Sequence, residues 1–118
     1  MELIEQLAEA ALQRDGLRLR SLVQDIARAN INWSMISRPI SNDIRLLALS
    51  ASLAELLASR QKQAPPSWTK EIGALQEPFY LLQSAEKMKR LRLLCETQSP
   101  EPMRRRHLYA PPNFLEFA

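Results

Sequence analysis

Between Ile44 and Ala58 the only charged residues are Arg45 and Glu55, while Leu46, Leu47, Leu49, Leu53, Leu56 and Leu57 recur around most of a helical circumference. A helix that is apolar on most sides has to be covered on most sides. Other parts of the chain must therefore surround this one, and it is predicted to be the central helix. Ser41 or Asn42 is the candidate cap, and the helix should run to about Gln61. Plain core accounts for such a helix; a dimer interface is the other use of excess apolar surface.

The covering elements are also predicted to be helical. Leu3, Ile4, Leu7, Ala11 and Leu12 repeat at helical spacing, so residues 2–13 read as a first amphipathic helix. Asp15-Gly16 breaks it and can open the next, roughly 16–30, whose stripe is Leu19, Leu22, Val23 and Ile26. Residues 31–40 read as a crossing loop, because Pro39 disfavours helix at Arg38. Ser67 should cap a short helix that Gly73 stops. Glu77-Pro78-Phe79-Tyr80-Leu81-Leu82 is either strand-like or a helical turn, and periodicity does not separate the two. Lys87 to Glu96 reads as the last helix, with Met88, Leu91, Leu94 and Cys95 on one face and Lys87, Lys89, Arg90 and Arg92 around the other. Trp33 and Trp68 sit near loop–helix junctions, where each can lid one end of the core or stand exposed as a partner anchor.

The final segment breaks this pattern. Ser99-Pro100-Glu101-Pro102 leads into Met103-Arg104-Arg105-Arg106-His107-Leu108-Tyr109, then Ala110-Pro111-Pro112-Asn113-Phe114-Leu115-Glu116-Phe117-Ala118, and it holds four of the eight prolines. Proline removes a backbone donor and fixes φ, so no continuous helix spans it. It is expected to be an extended arm with cationic and aromatic contacts, which docks on a partner or folds back with Phe114 and Phe117 as core. The chain thus divides into a helical body, 1–98, and an arm, 99–118.

Charge follows the same division. Residues 1–85 hold nine Lys/Arg and nine Asp/Glu, whereas residues 86–118 hold seven basic and four acidic residues and supply the whole net charge of +3. A partner surface for the C-terminal third should be acidic: a phosphate backbone, or a carboxylate pocket in another protein.

Catalytic signatures are missing from the sequence. One histidine, His107, and one cysteine, Cys95, do not make a zinc site. Cys95 reads as a small buried hydrophobe, and a Cys95/His107 dyad has no third orienting group. Two glycines exclude a Walker or Rossmann phosphate loop. Neither a metal nor a cofactor is expected, and the chain reads as non-enzymatic. No apolar run approaches the roughly 20 residues of a membrane helix. The start, Met1-Glu2-Leu3-Ile4-Glu5, lacks the basic opening of a signal peptide. With an unpaired cysteine this fits a reducing, cytoplasmic setting.

Four stretches together carry a resemblance: Asp15-Gly16-Leu17-Arg18-Leu19-Arg20-Ser21-Leu22-Val23-Gln24-Asp25, the Pro65–Glu71 turn, Glu77-Pro78-Phe79, and the closing Pro102–Leu115 segment. In this order they resemble small bacterial antitoxin-type proteins encoded beside toxins, often of nucleotidyltransferase type. Many such proteins carry an N-terminal helix-turn-helix, for which residues 1–13 are too short. The resemblance implies a protein that masks its partner by occlusion. A toxin that holds metal ions with carboxylates would offer an acidic pocket suited to the planar donors of Arg104, Arg105 and Arg106.

The sequence thus predicts an all-α fold, a single bundle of about four to six helices with an extended C-terminal arm. The expected partner-binding residues are Arg104, Arg105, Arg106, His107, Tyr109, Phe114 and Leu115. The expected partner is a protein. A small nucleic-acid-binding role for the same basic end is the alternative, and homodimerisation stays open.

Overall fold

A computed structural model describes residues 3–116. Helix α1, Leu3–Leu12, and helix α2, Gly16–Arg28, pack against each other across a short joint. Arg14 takes a left-handed conformation there, φ 56°, which ends α1. Asp15 then caps α2, its carboxylate accepting the Arg18 N–H at 3.1 Å. The inward stripes are those read from the periodicity: Ile4, Leu7 and Ala11 on α1, and Leu19, Leu22 and Ile26 on α2, are all buried.

The central helix, α3, spans Ile44–Arg60, and every residue from Ala48 to Ala58 is buried. Its cap is Asp43, not Ser41 or Asn42. The Asp43 carboxylate accepts the N–H groups of Arg45 and Leu46 at 3.0 and 3.4 Å. Ser41 acts one step earlier, its Oγ accepting the Asp43 N–H at 3.0 Å. Three elements lie on α3: α1, a 3-10 turn at Ser67–Glu71, and helix α5, Glu101–Arg104.

The stretch around Phe79 resolves as a strand. β1, Phe79–Tyr80, pairs in parallel with β2, Leu108–Tyr109, in the register Phe79↔Leu108 and Tyr80↔Tyr109. A parallel pair needs a long crossover. Here it carries a 3-10 turn at Gln83–Glu86, helix α4 at Lys89–Gln98, and α5. The chain is therefore predominantly helical, and the expected all-α body is modified by this one pair. The outward carbonyl of β1, Tyr80 O, is occupied by Arg14, whose Nε and Nη2 donate at 3.2 and 2.9 Å.

The extended arm is the expectation the structure corrects. Residues 99–116 form α5, β2 and a closing turn on the body. Met103, Leu108, Ala110, Phe114 and Leu115 belong to the same buried cluster as α1 and α3. The physical reason is plain. A chain of this length has too few apolar helices to enclose α3, and the tail provides the missing cover. Phe117, the other proposed core aromatic of the arm, lies outside the described residues. The radius of gyration, 13.3 Å, is close to the ~13 Å of a compact chain of about this size.

Candidate functional site

Three consecutive arginines leave α5 in three different environments. Arg106 is 2% exposed. Its Nη1 donates to Glu55 Oε1 at 2.6 Å and to the Pro102 carbonyl at 3.0 Å. Its Nη2 donates to the Thr69 carbonyl at 2.8 Å and its Nε to the Ile72 carbonyl at 3.1 Å. The planar fork thus ties α3, the 3-10 turn Ser67–Glu71 and α5 into one network. A guanidinium in the interior is tolerated only when its donors are satisfied in this way.

Arg105, at the rim, also pairs with Glu55 and lies 3.7 Å from Glu101. Arg104 turns outward and donates from Nη1 to the Thr97 carbonyl at 2.8 Å. That carbonyl is one of the unsatisfied acceptors in the last turn of α4, so Arg104 works as a C-terminal cap.

Glu55 is not among the site residues that the sequence predicts. Burial pushes its carboxyl up, but the hydrogen bond and charge of Arg106 oppose this, with smaller help from Thr69 and Arg105. The net result lies below the usual carboxylate value, so Glu55 is a poor proton donor and a firm anchor. A signal for it was present. A lone carboxylate inside a leucine-rich buried helix demands a cation, and the triple arginine offered one. An open cleft of about 440 Å³ lies beside the pair, edged by Glu55, Ser59, Lys62, Glu101 and Arg105.

The remaining tail residues are distributed likewise. His107 is exposed in a left-handed conformation, φ 64°, and its Nδ1 donates to the Leu75 carbonyl at 2.6 Å. Tyr109 is half-buried, its ring tilted 43° against Tyr80 at 5.5 Å. Phe114 and Leu115 are buried, with Arg60 Nη1 donating to the Phe114 carbonyl at 2.6 Å. Of the seven residues expected to meet a partner, Arg104, Arg105 and His107 reach the surface, Tyr109 is half-buried, and Arg106, Phe114 and Leu115 are used internally.

The outer face of α4 is built differently. Cys95 is its single buried residue. Burial pushes the Cys95 thiol up, away from the reactive thiolate. Outside, Leu93 is 63% exposed, with the exposed cations Arg90 and Lys89 three and four residues before it, and just ahead of the helix Met88 is 57% exposed next to exposed Lys87. Arg104 closes the far end of the same helix through Thr97. The cations crowd the N-terminal end, where the helix macrodipole is positive and each cation costs about 0.3–1 kcal/mol. The N-cap, Met88, provides no side-chain hydrogen bond to offset this.

Among the described residues no three His, Cys, Asp or Glu side chains gather as metal ligands. No helix of the described residues is long and apolar enough to cross a membrane. Comparison with protein-family models, curated proteins and solved structures finds no match.

Proposed function

We propose that this chain is a non-enzymatic, cytoplasmic binding protein of helical-bundle type that masks a partner protein, acting as the antitoxin of a toxin–antitoxin pair. The observation that carries the reading is Leu93 on α4, 63% exposed, with the exposed cations Arg90 and Lys89 three and four residues before it, and exposed Met88 and Lys87 just ahead of the helix. Apolar groups ringed by charge suit a protein interface, in which a dry centre gives affinity and the rim gives orientation. The charge calls for a carboxylate-rich partner. A toxin pocket that holds metal ions with carboxylates has that chemistry, and seating α4 over it would block substrate entry. The sequence resemblance to antitoxin-type proteins points the same way.

Nucleic-acid binding is the second reading, favoured by the same exposed cations. It is weakened by the aromatics. Phe114 is buried and Tyr109 leans on Tyr80, so neither presents a free face for base stacking.

The test is a binding titration of the purified chain against the product of the neighbouring gene and, separately, against a single-stranded oligonucleotide. The protein reading expects binding to the former that survives moderate salt and is lost in Leu93→Asp and in the double variant Lys89→Glu/Arg90→Glu. Binding only to the oligonucleotide, with log K falling linearly against log salt, would replace it. Protein binding untouched by these surface substitutions would remove α4 as the contact.

A further inference from the structure

Residues 82–98 form a loop whose two ends are tied to neighbouring residues of the tail. At one end the Leu81 N–H donates to the Tyr109 carbonyl at 2.9 Å. At the other, Ser99 Oγ accepts the Ala110 N–H at 2.9 Å, with the Ala110 carbonyl at 3.0 Å. Tyr109 and Ala110 are adjacent, so the base of the loop is clamped shut while the chain between carries the turn Gln83–Glu86 and α4. The clamp residues Leu81 and Ser99 are buried, whereas within the loop only Ala85 and Cys95 are.

This loop adds nothing to the main core. Among the described residues, none from 82 to 98 belongs to the buried cluster that joins α1, α3 and the tail, or to the half-buried apolar groups packed on it. The polar ties between loop and body lie at the edge. Tyr80 Oη donates to Glu96 Oε1 at 3.0 Å, Arg104 Nη1 to the Thr97 carbonyl at 2.8 Å, and Arg14 Nη2 to Glu86 Oε1 at 2.7 Å. On its own, α4 is a poor helix. Its ten residues fall below the length at which an isolated helix holds in water. Lys89 and Arg90 in its first turn oppose the macrodipole, and no side chain caps its start. Segments with few buried apolar contacts and exposed hydrogen bonds open at a lower free energy than the whole molecule.

We propose that residues 82–98 open as a unit while the rest of the fold stays closed, with Leu81 and Ser99 as the hinges. Opening uncovers Leu91, Leu94 and Cys95, on the inner side of the helix whose outer side carries Leu93, and frees Tyr80 from Glu96. The device belongs to the free chain and does not rest on the masking function. It gives any partner of α4 access to both sides of the helix.

The test is hydrogen exchange read residue by residue in the purified full chain, with Cys95 labelled by a thiol reagent at rising urea below the unfolding transition. The amides of Leu93–Gln98 should exchange at least tenfold faster than those of Leu49–Leu57, while those of Leu81 and Ala110 stay as protected as α3. Cys95 should label slowly, yet faster than global unfolding allows, at a rate nearly independent of urea. Lys89→Glu/Arg90→Glu, which places acids at the positive end of α4, should slow the labelling several-fold. Tyr80→Phe should speed it several-fold, and both variants should keep the wild-type circular-dichroism spectrum. Protection of Leu93–Gln98 equal to that of α3 overturns the proposal, as does labelling that climbs with urea as steeply as global unfolding. Loss of protection at Leu81 and Ala110 together with α4 overturns it too, because the tail would then open with the loop. Labelling that ignores both variants does the same.

Discussion

Arg106 Nη1 and Glu55 Oε1 lie 2.6 Å apart across fifty-one residues of chain, and their side chains are 2% and 10% exposed. The triple arginine calls for a carboxylate pocket to receive it. The molecule holds one of its own.

Breaking this pair should be costly, because the surviving charge would be left in the interior. Arg106→Ala or Glu55→Ala should destabilise the fold by about 3–5 kcal/mol. Arg105→Ala removes a half-exposed contact and should cost about 0.2–1 kcal/mol. Urea denaturation of the three variants checks this. Equal losses for Arg105 and Arg106 would contradict the buried assignment.

Acid should act through the same carboxylate. Glu55 titrates lower in the folded chain than its ordinary 4.5, so the unfolded state binds its proton more readily. The stabilisation is therefore complete above about pH 4.5 and is lost as pH falls through the lower folded value. Wild-type stability should drop across this acid range. In Glu55→Gln the drop should be shallower, from a lower starting stability. A parallel pH profile in the variant, measured by thermal melts, would show that other carboxylates carry the effect.

Deleting residues 99–118 should abolish cooperative unfolding. The deletion removes Met103, Leu108, Phe114 and Leu115 from the core and takes away the only described cation inside contact of Glu55 that is fully buried. A truncated chain that melts like the full-length protein would mean the body folds without its tail.

Cys95 should behave as packing. Its thiol is buried and shifted up, so labelling by a thiol reagent should be slow in the native state and fast in denaturant. Cys95→Ala should cost about 1 kcal/mol and leave partner binding intact. Fast native labelling with loss of binding would give the residue a functional role.

The helices α1, α2 and α3 were legible because their evidence is local. Leucine and alanine at helical spacing, Asp15 before Gly16 and the apolar run to Ala58 each act within a few residues. The α3 cap was displaced to Asp43 because Ser41, Asn42 and Asp43 are all competent caps, and only the backbone path decides which faces the first turn. The strand at Phe79 was ambiguous for a related reason. Two residues have no period, and their partner, Leu108–Tyr109, lies on the far side of a crossover.

What the sequence by itself determined is that a nearly all-apolar helix must be enclosed, that helices would do most of the enclosing, and that the positive charge would gather in the last third. What only the tertiary structure decided is where that charge goes. Arg104, Arg105 and Arg106 are chemically identical neighbours, yet one caps α4, one sits at a rim and one is buried on Glu55. Consecutive residues of a helical turn point about 100° apart, since 3.6 residues complete the circle. Arg104 ends α5 and Arg105 and Arg106 continue into the turn behind it, so once α5 is laid against α3 the backbone path fans the three side chains apart, and no local pattern records which of them faces inward.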